Sequence, residues 1–151
     1  MNTTQRGLLS GTIATALMSI PIVAAKRVGF IRKIPPVEVS RNIAKSANSQ
    51  PSVDTNVVDR LWPIAHVAYG AACGVIFTRI RPVLPESTVA AGAVFGGAVW
   101  GVSYGGYLPM LRLYPDPTRD AEQRILTMTF AHLVFGVSLA YADRLLQNPK
   151  V

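Results

Sequence analysis

The chain has 151 residues, of which 50% are apolar and 15% are charged, and its formal net charge is +7. Soluble domains carry roughly 25% charged residues and disordered chains are poor in apolar ones, so disorder is excluded and one domain is expected. The only cysteine, Cys73, excludes an intramolecular disulfide framework and any multi-cysteine metal site.

Four long runs contain no Asp, Glu, Lys or Arg. They cover residues 7–25, 61–78, 87–111 and 125–142. As helices they rise about 27 to 38 Å, enough to cross a hydrocarbon core about 30 Å thick. Soluble helices of this length usually carry a charged stripe. We therefore predict an all-α fold, a four-helix transmembrane bundle in a single integral membrane domain of residues 1–151, with a compact soluble helical protein as the alternative.

The first run has two interpretations. Arg6 before an apolar stretch that ends at Ala25 has the shape of a cleaved signal peptide. The basic residues that follow at once, Lys26 and Arg27, resist translocation. This cluster favours a first helix that is retained.

The segment 26–60 is the only long connection. It contains a proline pair, which suits the first turn of a helix, and then apolar residues such as Val39 and Ile43 near one face. We predict a short amphipathic helix at about 35–47, lying on the membrane surface. An irregular polar linker is expected over 46–56.

The remaining connections are shorter. Residues 79–86 hold two prolines, and their brevity predicts that the second and third helices form a tight hairpin. Residues 112–124 repeat the plan of the long connection, because a proline pair is again followed by a short polar helix.

The Lys and Arg residues divide unevenly between the two sides of this bundle. Ten fall on the side of the long connection and five on the other. Cytoplasmic loops carry the excess of basic residues, so both termini are expected outside the cytoplasm. The net charge is therefore interpreted as a topology signal, with lipid headgroups as partners of residues 26–33 and no nucleic acid.

The two halves of the chain resemble each other. Residues 65–70 (AHVAYG) align without gaps with residues 131–136 (AHLVFG). Two glycine pairs match as well: Gly7 and Gly11 in the first run, and Gly92 and Gly96 in the third. We predict two similar helical hairpins in parallel relation, as a duplication would produce.

The chain also resembles a known family. The proline pair after the first helix, AHVAYGAACG, GAVFGGAVWGVSYGGYLP, YPDP and AHLVFG are together similar to the small YagU-like bacterial inner-membrane proteins, over nearly the whole chain. That family is one of unknown function. The resemblance implies a multi-pass protein of the bacterial plasma membrane and carries over no catalytic residue.

Small residues spaced by four predict close helix packing, because they let backbones approach. They are Gly7/Gly11, Gly70/Gly74, Gly92/Gly96, Gly97/Gly101/Gly105 and Gly136/Ala140. Packing within one bundle is the first interpretation, and an interface with a second copy or another membrane protein is the alternative. With two such faces, the third run is expected to sit centrally.

His66 and His132, the only histidines, are the sharpest candidates for a site. Both lie in charge-free runs, about 9 and 12 Å along their helices from the cytoplasmic side, where ionisable groups are costly and mark function. Their neighbouring candidates are Tyr69, Gly70, Phe135 and Gly136. The imidazoles could ligate a haem b, form a proton or metal relay, or simply hydrogen-bond neighbouring helices.

Aromatic residues near the run ends are expected to anchor the protein at the cytoplasmic interface. They are Trp62, Tyr107 and Tyr114, whereas Trp100 and Tyr104 fall deeper and are expected to pack. Cys73 is expected to be a buried small residue rather than a nucleophile.

No phosphate loop, metalloprotease motif or nucleophile elbow occurs in the sequence. We therefore predict no enzyme, no metal and no resident cofactor, with haem b as the alternative. The best functional prediction is a structural or accessory multi-pass membrane protein that acts through helix–helix contacts. A haem-binding or redox subunit, and a small oligomeric transporter or channel, are the other possibilities.

Overall fold

The computed structural model describes residues 1–47 and 55–147, so most of the linker expected over 46–56 lies outside the described residues. Within those ranges all regular structure is helical. The helices are α1 (Thr3–Arg27), α2 (Pro35–Ala47), α3 (Thr55–Ile80), α4 (Thr88–Val102), α5 (Leu108–Met110) and α6 (Glu122–Gln147).

The ends of α1 follow from local hydrogen bonding and charge. The side chain of Asn2 accepts from the backbone N–H of Gln5 at 2.8 Å, and the Gln5 side chain accepts from the Asn2 N–H at 3.1 Å. This capping box satisfies two backbone donors that a helix start leaves free. Lys26 and Arg27 occupy the last turn, where the helix dipole favours positive charge.

The third uncharged run is not a uniform α-helix. After α4 the chain makes a π-helical turn at Ser103–Tyr107 and continues directly into α5. Three other helical segments are long and apolar enough to cross a membrane. They are Thr3–Arg27, Arg60–Val83 and Glu122–Gln147.

The helices pack as two pairs. α1 packs along α3, α4 packs along α6, and α1 and α6 contact each other at the centre of the molecule. The expectation that the third run sits centrally is therefore wrong, because α4 and its extension lie at one side. α3 and α4 are joined by the short connection but pack little against each other, so the expected tight hairpin is wrong as well.

Large apolar side chains cover the outside of these helices. Ile20, Ile64, Val102 and Phe130 are each 59% exposed or more. Contiguous apolar surface of this kind marks contact with lipid or protein rather than water. The inside is closed by Phe77 and Leu139, both fully buried, and the Phe77 ring meets Phe95 edge-on at 5.2 Å between centroids.

Candidate functional site

A cavity of about 320 Å³ lies at the end of the molecule where α2 sits. Residues of α2, α3, the π-helical turn, α5 and α6 form its walls. Both histidines line it, together with four of the five tyrosines: Tyr69, Tyr104, Tyr107 and Tyr114. The structure thus collects most of the protein's neutral polar aromatic side chains around one space.

His132 is held in a defined orientation by α6. Its side chain is buried, with 8% of the residue exposed, and its Nδ1 lies 2.7 Å from the carbonyl oxygen of Met128. A carbonyl oxygen only accepts, so Nδ1 donates the proton. In the neutral imidazole, Nε2 is therefore left with a free lone pair.

His66 comes from α3 and meets His132 at this site. Its Nε2 is buried and has no hydrogen-bond partner among the residues that the structure describes. Leaving a buried polar atom unpaired costs about 1–3 kcal/mol, so such an atom marks a place where a ligand or water fits. The ring stands 6.1 Å from that of Trp62.

A smaller pocket joins the two histidines below the main cavity. The neighbouring candidates Tyr69, Gly70 and Phe135 line it together with both rings. A Cβ at Gly70 would overlap the hydroxyl oxygen of Thr15, so a larger residue here would force the Thr15 side chain of α1 to shift.

α2 covers the cavity. Its apolar face, including Val39 and Ile43, forms one wall of the cavity, so at least part of the face expected on the membrane surface is turned towards the protein. Glu38 accepts from Lys33 at 2.9 Å and lies 3.5 Å from Arg124 of α6. The side-chain amide of Asn42 donates to the carbonyl oxygen of Leu113 at 2.8 Å.

The carboxylate of Asp120 contacts one of the tyrosines that line the cavity. Asp120 accepts a hydrogen bond from the Tyr104 hydroxyl and pairs with the Arg124 guanidinium. Tyr114 packs against Tyr104 with 5.6 Å between ring centroids, and within residues 1–47 and 55–147 its buried hydroxyl has no partner at hydrogen-bond geometry. Burial, and next the negative charge of Asp120, raise the pKa of the Tyr114 phenol above its ordinary value, so the ring stays neutral.

The sequence predicts Tyr107 and Tyr114 as interfacial anchors and does not predict their place in the cavity wall. Both line the cavity, and Tyr114 is 5% exposed. The sequence does not predict them as site residues, because the direction of their side chains depends on the path of the chain after the π-helical turn. Their position at the same end of the runs as the histidines is the one sequence signal that places them near the site.

Glycines let the paired helices touch at the backbone. A Cβ at Gly7 would lie 2.6 Å from the Val75 Cα, and one at Gly92 would lie 2.5 Å from the Gly136 carbonyl oxygen. The same crowding occurs at every other glycine of these two contacts: Gly11, Gly70, Gly74, Gly96 and Gly136. Ala140 is buried nearby on α6.

The contacts also bear on two expectations about these glycines. Gly7 contacts Gly74 and Val75, and Gly92 contacts Gly136 and Val137 in the same way. In these contacts Gly136 corresponds to Gly74, one helical turn away from Gly70, its counterpart in the match of residues 65–70 with 131–136. The expectation that Gly97, Gly101 and Gly105 pack within the bundle is wrong, because a Cβ at any of these three positions would meet no described atom within 4 Å.

The molecule has helical segments able to cross a membrane, an apolar outside and an aromatic cavity. These features define it as a helical protein compatible with a membrane. The chain belongs to a family of unknown function, DUF6789, which it matches over residues 1–150. No curated protein and no solved structure gives a match.

Proposed function

We propose that the chain is a multi-pass membrane protein with four spanning segments arranged as two similar hairpins. The fourth segment is supplied by α4, the π-helical turn and α5 taken together, since helix runs without interruption from Thr88 to Met110 through an uncharged sequence. The uneven Lys and Arg distribution and the YagU-like resemblance support a bacterial plasma membrane with both termini outside the cytoplasm.

Within this arrangement, we propose a non-catalytic accessory role: the protein holds a lipophilic small molecule. The observation that carries this proposal is the convergence of both histidines and four tyrosines on one cavity of about 320 Å³. Small-molecule sites are concave and mostly apolar, with a few polar groups that orient the ligand.

Tryptophan fluorescence can test this proposal, since both tryptophans stand beside the cavity. Trp62 contacts His66, and the Trp100 ring lies 5.6 Å from that of Tyr104. A brominated alkylbenzene titrated into vesicles containing the protein should quench this fluorescence with a saturable component. Partitioning into lipid alone would give only a linear decrease.

Two alanines of α3 provide a matched pair of variants. Ala65 lines the cavity, whereas the exposed Ala68 does not. Ala65→Leu should fill part of the space and remove most of the saturable quenching, while Ala68→Leu should leave it unchanged. Equal saturable quenching in both variants would show that the cavity is not the binding site.

Haem b is a second candidate occupant, favoured by the geometry of His132. Histidines that bind metal usually donate their other ring nitrogen to a carbonyl or carboxylate, as Nδ1 does here to Met128. His66 and His132 would be the two axial ligands. Protein expressed with ample haem should then show a Soret band that either His→Ala variant shifts or abolishes. Its absence would remove this candidate.

A further inference from the structure

We infer that the molecule held in the cavity is a lipophilic aromatic alcohol, such as an alkylphenol or a quinol, whose ring hydroxyl donates a hydrogen bond to Nε2 of His132. This inference rests on the proposed function, because it specifies which lipophilic molecule the cavity takes. Three observations lead to it: a fixed acceptor, an aromatic wall of limited volume, and the absence of charged side chains among the described residues that line the space.

The fixed acceptor comes first. The carbonyl of Met128 holds the Nδ1 proton of His132, so the other ring nitrogen of the neutral imidazole accepts. An occupant that satisfies this nitrogen must bring an O–H or N–H donor. A ketone, an ether or a plain hydrocarbon leaves the lone pair unsatisfied.

The volume and the walls favour one substituted ring. A cavity of about 150 Å³ holds a benzene molecule, so the 320 Å³ found here suits a ring with substituents and the start of a tail. Four tyrosine side chains line this space, and aromatic pairs in offset or edge-on contact gain about 0.5–1.5 kcal/mol.

The polar groups around the space call for a neutral ligand. None of the described residues that line the cavity is Asp, Glu, Lys or Arg. A phosphate or carboxylate headgroup would therefore enter without a counter-charge, at high cost. The His66 Nε2 and the Tyr114 hydroxyl, both buried and without a partner in the described part of the chain, are available to a second neutral oxygen, as on a quinol.

Competition against the brominated alkylbenzene tests the inference in the full-length protein in vesicles. The competitors are a para-alkylphenol and its methyl ether, which differ only in the hydroxyl proton. The phenol should displace the brominated probe at about tenfold lower concentration, as expected for one cavity-lining acceptor that the phenol satisfies and the ether cannot.

His132→Phe should equalise the two competitors, because the ring volume is kept and the acceptor is lost. Tyr141→Phe, which alters the one tyrosine that does not line the cavity, should preserve the tenfold preference. Since the preference is measured first in the unaltered protein, the inference stays testable even where His132→Phe does not fold.

The outcomes separate this inference from the proposed function. Equal displacement by phenol and ether, with saturable probe binding intact, would overturn the hydroxyl inference and leave the binding function standing. No saturable probe binding at all would overturn the function itself. Displacement of the phenol by added haem, with a Soret band that requires both histidines, would replace the aromatic alcohol with haem.

Discussion

The two ends of the molecule differ in how closely their helices approach each other. At the end away from α2, glycines of α1 and α3 bring the two backbones into contact, and glycines of α4 and α6 do the same. At the α2 end, tyrosines and histidines occupy the space between the same long helices and leave a cavity of about 320 Å³. Side-chain size alone decides where these helices touch and where they separate.

This difference matters most in a bilayer. Burial of apolar surface drives little association there, because lipid is as apolar as the helix interface, so packing and hydrogen bonds must hold the helices together. The glycine contacts provide that packing at one end. The other end is thereby free to hold a ligand, and α2 serves as its cover.

The largest expected effect is the loss of a backbone contact. Gly11→Ala places a methyl group against the carbonyl oxygen of Gly70, where neither helix can yield easily. Overpacking of this kind costs typically 1–3 kcal/mol, more than the roughly 1 kcal/mol that alanine gains over glycine in a helix. Thermal unfolding in detergent should show a clear drop in Tm.

Gly97→Ala is the matched control for this substitution. A Cβ at Gly97 meets no described atom within 4 Å, so only the gain in helix propensity, up to about 1 kcal/mol, should remain. Equal destabilisation by both substitutions would contradict the view that the glycines of the α1–α3 contact hold the closed end together. It would also reveal a helix contact at Gly97.

The ion pair between α1 and α6 should have the next largest effect. Arg6 Nε donates to Asp143 at 2.7 Å, and the Asp143 side chain is 3% exposed. Asp143→Asn leaves the partly exposed Arg6 without its counter-charge and should cost up to about 3 kcal/mol. Denaturant unfolding measures the loss.

A double variant distinguishes charge from packing at this position. Arg6→Met combined with Asp143→Leu removes both charges and should recover much of the stability, because replacing a buried ion pair by apolar residues is often neutral. A double variant as unstable as Asp143→Asn would show that the side-chain packing, not the unpaired charge, is what matters.

A smaller, local effect is expected where α2 is attached. Asn42→Ala removes the hydrogen bond to the Leu113 carbonyl, worth about 0.5–1.5 kcal/mol. Amide hydrogen exchange in α2 should accelerate by up to about tenfold, whereas exchange in α6 should not change. Acceleration across the whole molecule would instead show that α2 is part of one cooperative unit.

The smallest effect concerns pH. The pKa of Tyr114 is raised in the folded protein by burial and by Asp120, so the folded state favours the neutral phenol. The contribution of this phenol to stability is present below the unfolded value near pH 10 and is lost as the pH rises above it. Tyr114→Phe should therefore weaken the loss of stability at alkaline pH, and an unchanged profile would show that other groups control it.

The sequence predicts some of this architecture because certain signals are local. A proline pair followed by apolar residues at helical spacing suffices to locate the helix Pro35–Ala47. The absence of charged residues suffices to locate the long helical runs. The histidines could be singled out because each stands alone in an apolar run. Such features depend on neighbours within one or two turns.

The remainder depends on which helices meet. Arg6 and Asp143 are separated by 137 positions, and each looks like an ordinary charge at the end of an apolar run. Nothing in the match of residues 65–70 with 131–136 shows that Gly136 of α6 packs as Gly74 of α3 does, and not as Gly70 does. The π-helical turn adds a rotation that propensities do not reveal, and with it the inward direction of Tyr107.

Asp120 links the wall of the cavity to α2, which covers it, through a hydrogen bond and ion pairs. Its carboxylate accepts from Tyr104, and its partner Arg124 reaches Glu38 on α2. One continuous set of polar contacts therefore runs from the Tyr104 hydroxyl in the cavity wall to the Glu38 carboxylate on the helix that covers it.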